Sequence, residues 1–445
     1  MSNVNPVDVD NATILRMIQA CRAAEAAGRN GEADQLLTRA AQLAPAHPAV
    51  LNELGMRMMQ RNEPAKAREL FQRATLADPG HPALWANLAA SLDALDLQQE
   101  QFEAIEKALA LDPRHLSSLL QKGALIEARG DARNAARAYR NALATLPAGA
   151  TPLPAVSAMI DRARAAVRAD DEALASALEA QLAAIRAQHG GANFKRVDRC
   201  VEMLTGRRTR YNSEPTFMYF PQIPAIEFFE RGDFPWLDAI EAATDDIRTE
   251  LTAVLVADRA GLEPYIAYPD GVPLDRWREL NKSRRWSAYF LSNQGVDLPA
   301  HMARCPRTMQ ALKGAPLCDV PSRGPTAFFS ILDASTQIPP HTGVTNTRLT
   351  VHLPLIVPPD CGFRVGGETR EWLPGKAWVF DDTIEHEAWN RSDSPRAVLI
   401  FDIWNPLLTP AERDMVRAAT EVVGTYYAGA PEKPAPEKPA PEKPS

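Results

Sequence analysis

The chain has 445 residues, 45% hydrophobic and 24% charged, with a formal net charge of −7. That length exceeds what one core usually organises, so two domains are expected. The acidic balance leaves no electrostatic footprint for nucleic acid, and no stretch is apolar enough to span a bilayer.

The start, MSNVNPVDVDNATILRMIQ, lacks both a basic segment leading into an apolar core and a cleavage pattern, which predicts a cytoplasmic, bacterial protein. Cys21, Cys200, Cys305, Cys318 and Cys361 are odd in number and scattered without metal spacing. Free thiols in a reducing compartment are the expectation.

From about residue 12 the chain repeats itself. Pro45, Pro79, Pro113 and Pro147 are 34 residues apart, and the same step links Cys21, Gly55, Ala89 and Gly123. It also links Ala33, Ala67, Gln101 and Ala135, then Ala40, Ala74, Ala108 and Ala142, while Leu37, Phe71, Ile105 and Tyr139 hold large side chains at that interval. A 34-residue period with small residues where two helices cross is the tetratricopeptide (TPR) pattern, a solenoid of helix pairs. Gln101 departs from the small-residue rule. His47, His81 and His115 follow the same step, so they belong to the turns between repeats and are set aside as metal ligands. The concave face of such a solenoid suits an extended peptide or a partner helix; a dimerisation or spacer role is the alternative.

Residues 155–190 are rich in Ala, Arg and Glu at helical spacing and predict one or two helices. HGGANF then breaks the pattern, with a domain boundary expected between 189 and 216.

Between Ser330 and Trp404 the apolar residues alternate over 347–357 and 396–404, with Gly, Pro, Asn and Asp between the runs. That is the punctuation of antiparallel sheet. His341 and His386 are candidate imidazole ligands for Fe(II), as in sites built from two His and one carboxylate. The carboxylate is expected two residues after the first His, where this chain has Gly343. Arg396 opens the apolar strand RAVLIFDIW, where a guanidinium is costly without an anion. Its planar fork suits a carboxylate, with a salt bridge to Asp402 or Asp381 as the alternative. Arg348, Thr350 and His352 share one strand face, and a solvated strand charge is the alternative reading of Arg348.

The sequence HTG, then RLxxHLPL, FDDxxEHEAW and R followed by LIFDIWNP, resembles the aspartyl/asparaginyl β-hydroxylases, a family of 2-oxoglutarate oxygenases, over roughly 217–410. The family has Gly at the carboxylate position, so Gly343 agrees with it. The resemblance implies a double-stranded β-helix (jelly-roll) domain using Fe(II), 2-oxoglutarate and O2, with His341 and His386 as metal ligands. It further implies that Arg396, Ser330 and His352 hold the cosubstrate and that Arg348 reaches the substrate. The family carries a second Arg where this chain has Thr350, which bears on substrate identity. The implied reaction decarboxylates 2-oxoglutarate and hydroxylates an unactivated carbon, Cβ of Asp or Asn in a polypeptide. Alternatives are hydroxylation of a lipid acyl chain or a small molecule, and an inactive scaffold.

The tail PEKPAPEKPAPEKPS cannot bury enough surface to order itself. The expected layout is a multidomain α + β chain: a disordered start over 1–11, a TPR solenoid over 12–150, helical linker over 151–195, oxygenase domain over 196–428 and a disordered tail over 429–445.

Overall fold

A computed structural model describes residues 10–147 and 154–427. Of the start expected to be disordered over 1–11, only Asp10 and Asn11 are described, as the N-cap and first residue of a helix, and the expected disordered tail over 429–445 lies outside the described residues. The chain divides into two compact units that part between Gly206 and Arg207.

The first unit opens with eight helices: α1 (Asn11–Ala26), α2 (Asn30–Leu43), α3 (Pro48–Gln60), α4 (Pro64–Ala77), α5 (Pro82–Asp93), α6 (Gln98–Leu111), α7 (Leu116–Ala128) and α8 (Ala132–Leu143). Proline stands in the first turn of α3, α4 and α5, where its missing N–H costs nothing. His47, His81 and His115 occupy the N-cap positions of α3, α5 and α7. The turn inside each repeat is closed by a left-handed residue at the 34-residue step: Gly28 (φ 74°), Asn62 (59°), Asp96 (54°) and Gly130 (81°). Gly, Asn and Asp are the residues that reach this conformation most easily.

Helix crossings are matched in size. Gly55 and Gly123 face the Phe71 and Tyr139 rings so closely that a Cβ would fall inside them. Ala89 shares a core with Ile105, and Cys21 with Leu37. Gln101 is buried and donates to Asp93 at 3.1 Å, which explains a large polar residue at a small-residue position. Helix α9 (Pro154–Gln188) is a single helix, and its Ile160 and Ala163 share a core with Tyr139. Helix α10 (Lys195–Leu204) falls in this first unit, whereas the expected oxygenase domain began at 196.

The second unit contains eleven strands among its described residues. They are β1 (Glu263–Pro264), β2 (Trp286–Asn293), β3 (Val296–Asp297), β4 (Ala327–Leu332), β5 (Thr336–His341), β6 (Arg348–Ile356), β7 (Cys361–Val365), β8 (Glu368–Glu371), β9 (Trp378–Phe380), β10 (His386–Asn390) and β11 (Arg396–Trp404). They form two sheets, ordered β1-β2-β4-β11-β6-β9, with β3 on β2, and β5-β10-β7-β8. The antiparallel pairs β4·β11, β5·β10, β6·β9 and β7·β8 nest one inside another. That nesting is a long hairpin wound into a double-stranded β-helix.

Helices α11 (Leu237–Ala242), α12 (Thr244–Ala257) and α14 (Pro306–Leu312), the last preceded by the short α13 (Pro299–Met302), contribute to the core on the outer face of the larger sheet with Phe329, Leu349, Leu399 and Phe401. The inner face and the smaller sheet enclose Trp286, Leu332, Ile338, Phe363, Trp372 and Val398. Strand β11 is buried on both faces except at Ile400, so Arg396, Val398, Ile400 and Asp402 point between the sheets. Helix α15 (Pro410–Tyr427) follows the last strand. All five cysteines are free.

Candidate active site

His341 ends β5 and His386 opens β10, directly opposite each other in the ladder. Their ring centroids are 4.1 Å apart. His341 Nδ1 lies 2.8 Å from the Pro339 carbonyl and His386 Nδ1 lies 3.0 Å from the Ile384 carbonyl. A carbonyl only accepts, so the proton sits on Nδ1 and each Nε2 keeps its lone pair. Burial, reinforced by the neighbouring His386, holds His341 well below the usual histidine range, and burial pushes His386 down to about 4. Two neutral imidazoles with oriented Nε2 lone pairs are what a divalent metal requires.

The third position was not legible beforehand. A Cβ at Gly343 would fall inside the carboxylate of Asp382, so that carboxylate occupies the space a side chain at 343 would take. Asp382 Oδ1 is buried without a hydrogen-bond partner. Burial raises its pKa, opposed by Arg348 and by a hydrogen bond from Thr350. A buried carboxylate oxygen left unpaired against Gly343, two residues after His341, fits a cation or a water held by one. Its neighbour Asp381 is spent instead on the Thr383 amide at 2.9 Å and on the hydroxyls of Thr383 and Ser213. The sequence signal was the FDD pair ahead of EHEAW, which does not say which Asp faces inward.

Arg396 is buried at 1% exposure. No carboxylate pairs with it among the described residues; its Nη1 reaches Ser330 Oγ at 3.5 Å, its Nε is unpartnered, and its guanidinium lies 4.6 Å from the Trp372 ring centroid. Burial pulls its pKa down to about 10. The alternative salt bridges do not form: Asp402 pairs with Arg348, and Asp381 is engaged as described.

Ser330 Oγ accepts from Trp286 Nε1 at 3.1 Å as well as from Arg396, which leaves its own proton to donate. His352 Nδ1 is buried without a partner. Burial, then the charge of Arg396, holds that imidazole neutral. Arg396, Ser330 and His352 thus meet between the sheets, offering the guanidinium and hydroxyl as donors beside an imidazole nitrogen without a partner.

Arg348 is not a solvated strand charge. It forms an ion pair with Asp402, and although burial opposes it, Asp402 and Asp382 raise its pKa. Beside His341 the rings of Trp277, Trp286, Tyr265 and Phe328 follow one another, with centroids 5.1 Å from His341 to Trp277, then 6.1, 4.1 and 5.2 Å. This aromatic wall was not anticipated, since its members come from separated segments.

Residues 241–406 match the aspartyl/asparaginyl β-hydroxylase family model, and residues 24–92 match a tetratricopeptide repeat model. The chain carries an aspartyl/asparaginyl β-hydroxylase domain. The chain is 34% identical over 186 residues to an ornithine lipid ester-linked acyl 2-hydroxylase of Rhizobium tropici, covering 41% of this chain and 62% of that protein. It is 29% identical over 205 residues to human aspartate β-hydroxylase domain-containing protein 2, covering 45% and 53%. It is 37% identical over 144 residues to human aspartyl/asparaginyl β-hydroxylase, covering 32% and 19%. The match therefore spans less than two thirds of each of these relatives. No helix among the described residues is long and apolar enough to cross a membrane.

Proposed function

We propose that the hydroxylase domain is an Fe(II)- and 2-oxoglutarate-dependent oxygenase, acting in a reducing, cytoplasmic compartment, that hydroxylates a carbon on a substrate recruited by the repeats. The observation that carries this reading is Arg396, a buried guanidinium with no anion of its own. Such a charge is tolerated when a ligand supplies the missing carboxylate.

His341 and His386 would hold the metal through Nε2, and the unpaired Asp382 oxygen would be free to accept from a water in the site. When bound, the iron and oxo acid supply oxidative decarboxylation coupled to C–H hydroxylation. Arg396 would take the distal carboxylate of 2-oxoglutarate, assisted by the Ser330 hydroxyl and by His352. The paired strands of the double-stranded β-helix carry these groups at fixed positions, which is what orienting two reactants requires.

The family match supports a polypeptide side chain, Cβ of Asp or Asn, as the target, with the solenoid delivering it. A second reading, an acyl chain, is favoured by the aromatic wall and by the name of the rhizobial relative.

The test is anaerobic calorimetry with Mn(II) followed by 2-oxoglutarate on wild type, His386→Ala and Arg396→Ala. Metal-dependent cosubstrate binding in wild type, lost in both variants, is the expected result. No binding by folded wild type would overturn the oxygenase reading and leave a repeat-bearing scaffold.

A further inference from the structure

Arg348 is the residue on the inner face of β6 that a substrate carboxylate would seek, and it is already engaged. Its Nη1 is ion-paired with Asp402 Oδ2, and the two side chains are only 17% and 5% exposed. The strands hold this pair in register, with Thr350 opposite Asp402 and Arg348 opposite Trp404. The other Asp402 oxygen accepts the Thr326 amide at 2.8 Å, and Arg348 Nη1 also leans on the Arg323 carbonyl at 3.4 Å. Both ends of the pair are therefore anchored.

A second carboxylate, Asp382, lies in the field of the same guanidinium. The next inward position on the strand is Thr350, whose hydroxyl is a neutral donor. One guanidinium thus faces two carboxylates before any substrate arrives. A substrate carboxylate entering here would be stripped of water without gaining an unshared cation, and would lie against Asp402 and Asp382. An uncharged group meets no such penalty and finds apolar surface nearby, where Tyr265, itself in the field of Arg348, stacks on Trp286 and Phe328. Arg276, whose Nη1 is given to the Pro340 carbonyl at 2.6 Å, and the exposed Arg323 are only partly covered or exposed, so they would meet charges on outlying parts of a substrate.

Resting on the oxygenase reading above, we infer that the substrate presents an uncharged reacting group to the paired imidazoles, and that Asp402 enforces this choice by neutralising Arg348. Among polypeptide side chains this favours a carboxamide over a carboxylate.

The test uses the full chain loaded with Mn(II) and 2-oxoglutarate, titrated calorimetrically with two isosteric probes, N-acetyl-aspartate methylamide and N-acetyl-asparagine methylamide. Cosubstrate binding is read first in each protein, and its failure in wild type overturns the oxygenase reading and this inference together. With the cosubstrate bound, wild type should bind the carboxylate probe no more tightly than the carboxamide. Asp402→Asn keeps an acceptor for Thr326 but frees Arg348, and should gain at least tenfold for the carboxylate over the carboxamide. The gain should vanish in Asp402→Asn/Arg348→Met. A tenfold wild-type preference for the carboxylate, or a folded Asp402→Asn that gains none, would overturn the inference. If Asp402→Asn does not fold, Arg348→Met decides: an unchanged probe ratio upholds it, and a selective loss of carboxylate affinity sinks it.

Discussion

Replacing Arg396 with Met should make the ligand-free protein more stable while abolishing its response to 2-oxoglutarate. Burial takes the guanidinium from 12.5 to about 10, and at ~1.36 kcal/mol per pH unit the site charges about 3 kcal/mol for holding it protonated. Against this stand a cation–π contact with Trp372, worth about 1 kcal/mol, and a long contact to Ser330 worth about 0.5 kcal/mol. The net expectation is a gain of roughly 1–2 kcal/mol. Urea unfolding followed by tryptophan emission reads this domain, because of the eight tryptophans only Trp85 lies before residue 207. Wild type with Mn(II) and cosubstrate at about 100 times its Kd should gain about 2.7 kcal/mol, and the variant nothing. Destabilisation by about 3–5 kcal/mol, the cost of breaking a buried ion pair, would refute the claim that Arg396 lacks an internal partner. So would a cosubstrate response that survives the substitution.

The proximity of Gly343 to Asp382 predicts that Gly343→Asp, which writes a conventional carboxylate into the site, misfolds or loses metal binding, whereas Gly343→Asp/Asp382→Gly recovers both; equal thermal stability of single and double variants would contradict the packing. Because His386 is neutral down to about 4 and His341 is held well below its ordinary value, protons compete with metal only at low pH. Mn(II) affinity should therefore change little between pH 7.5 and 5.5, whereas two ordinary imidazoles would lose about 100-fold; a loss of that size would refute the burial argument. In the solenoid, Gly123→Ala should cost about 1–3 kcal/mol by forcing a methyl into Tyr139, and Gly123→Ala/Tyr139→Ile, which copies the natural Ala89 and Ile105 pair, should recover most of it. Far-UV circular dichroism melts would show no rescue if the size match is incidental.

Much of this molecule is written locally, and those parts were readable in advance. The repeat was legible because a helix pair closes its own crossing within 34 residues, so the requirement for a small residue at Gly55 or Gly123 recurs at a fixed interval. The left-handed turn at Gly28, Asn62, Asp96 and Gly130 obeys the same period, yet it hid behind three residue types that share one backbone conformation. His341, His386 and Arg396 were marked by residue type and order, whereas the facing of His341 and His386 across β5 and β10 is set by register.

What alternation cannot say is which charges meet. Asp402 and Asp381 were equally plausible partners for Arg396, and neither takes it. Arg348 sits 54 positions before Asp402 in the chain, and only the β6 to β11 register brings the two together. The β4 to β11 pairing leaves Arg396 beside Ser330 rather than beside an acid. Asp382 likewise gained its place from the missing Cβ of Gly343, 39 positions earlier. By itself the sequence determined the elements, the repeat and the candidate ligands, since propensity, period and side-chain chemistry act over a few residues. Only the tertiary structure decided which buried charges are paired and which are left open for a ligand, because pairing between the sheets depends on strand order and register.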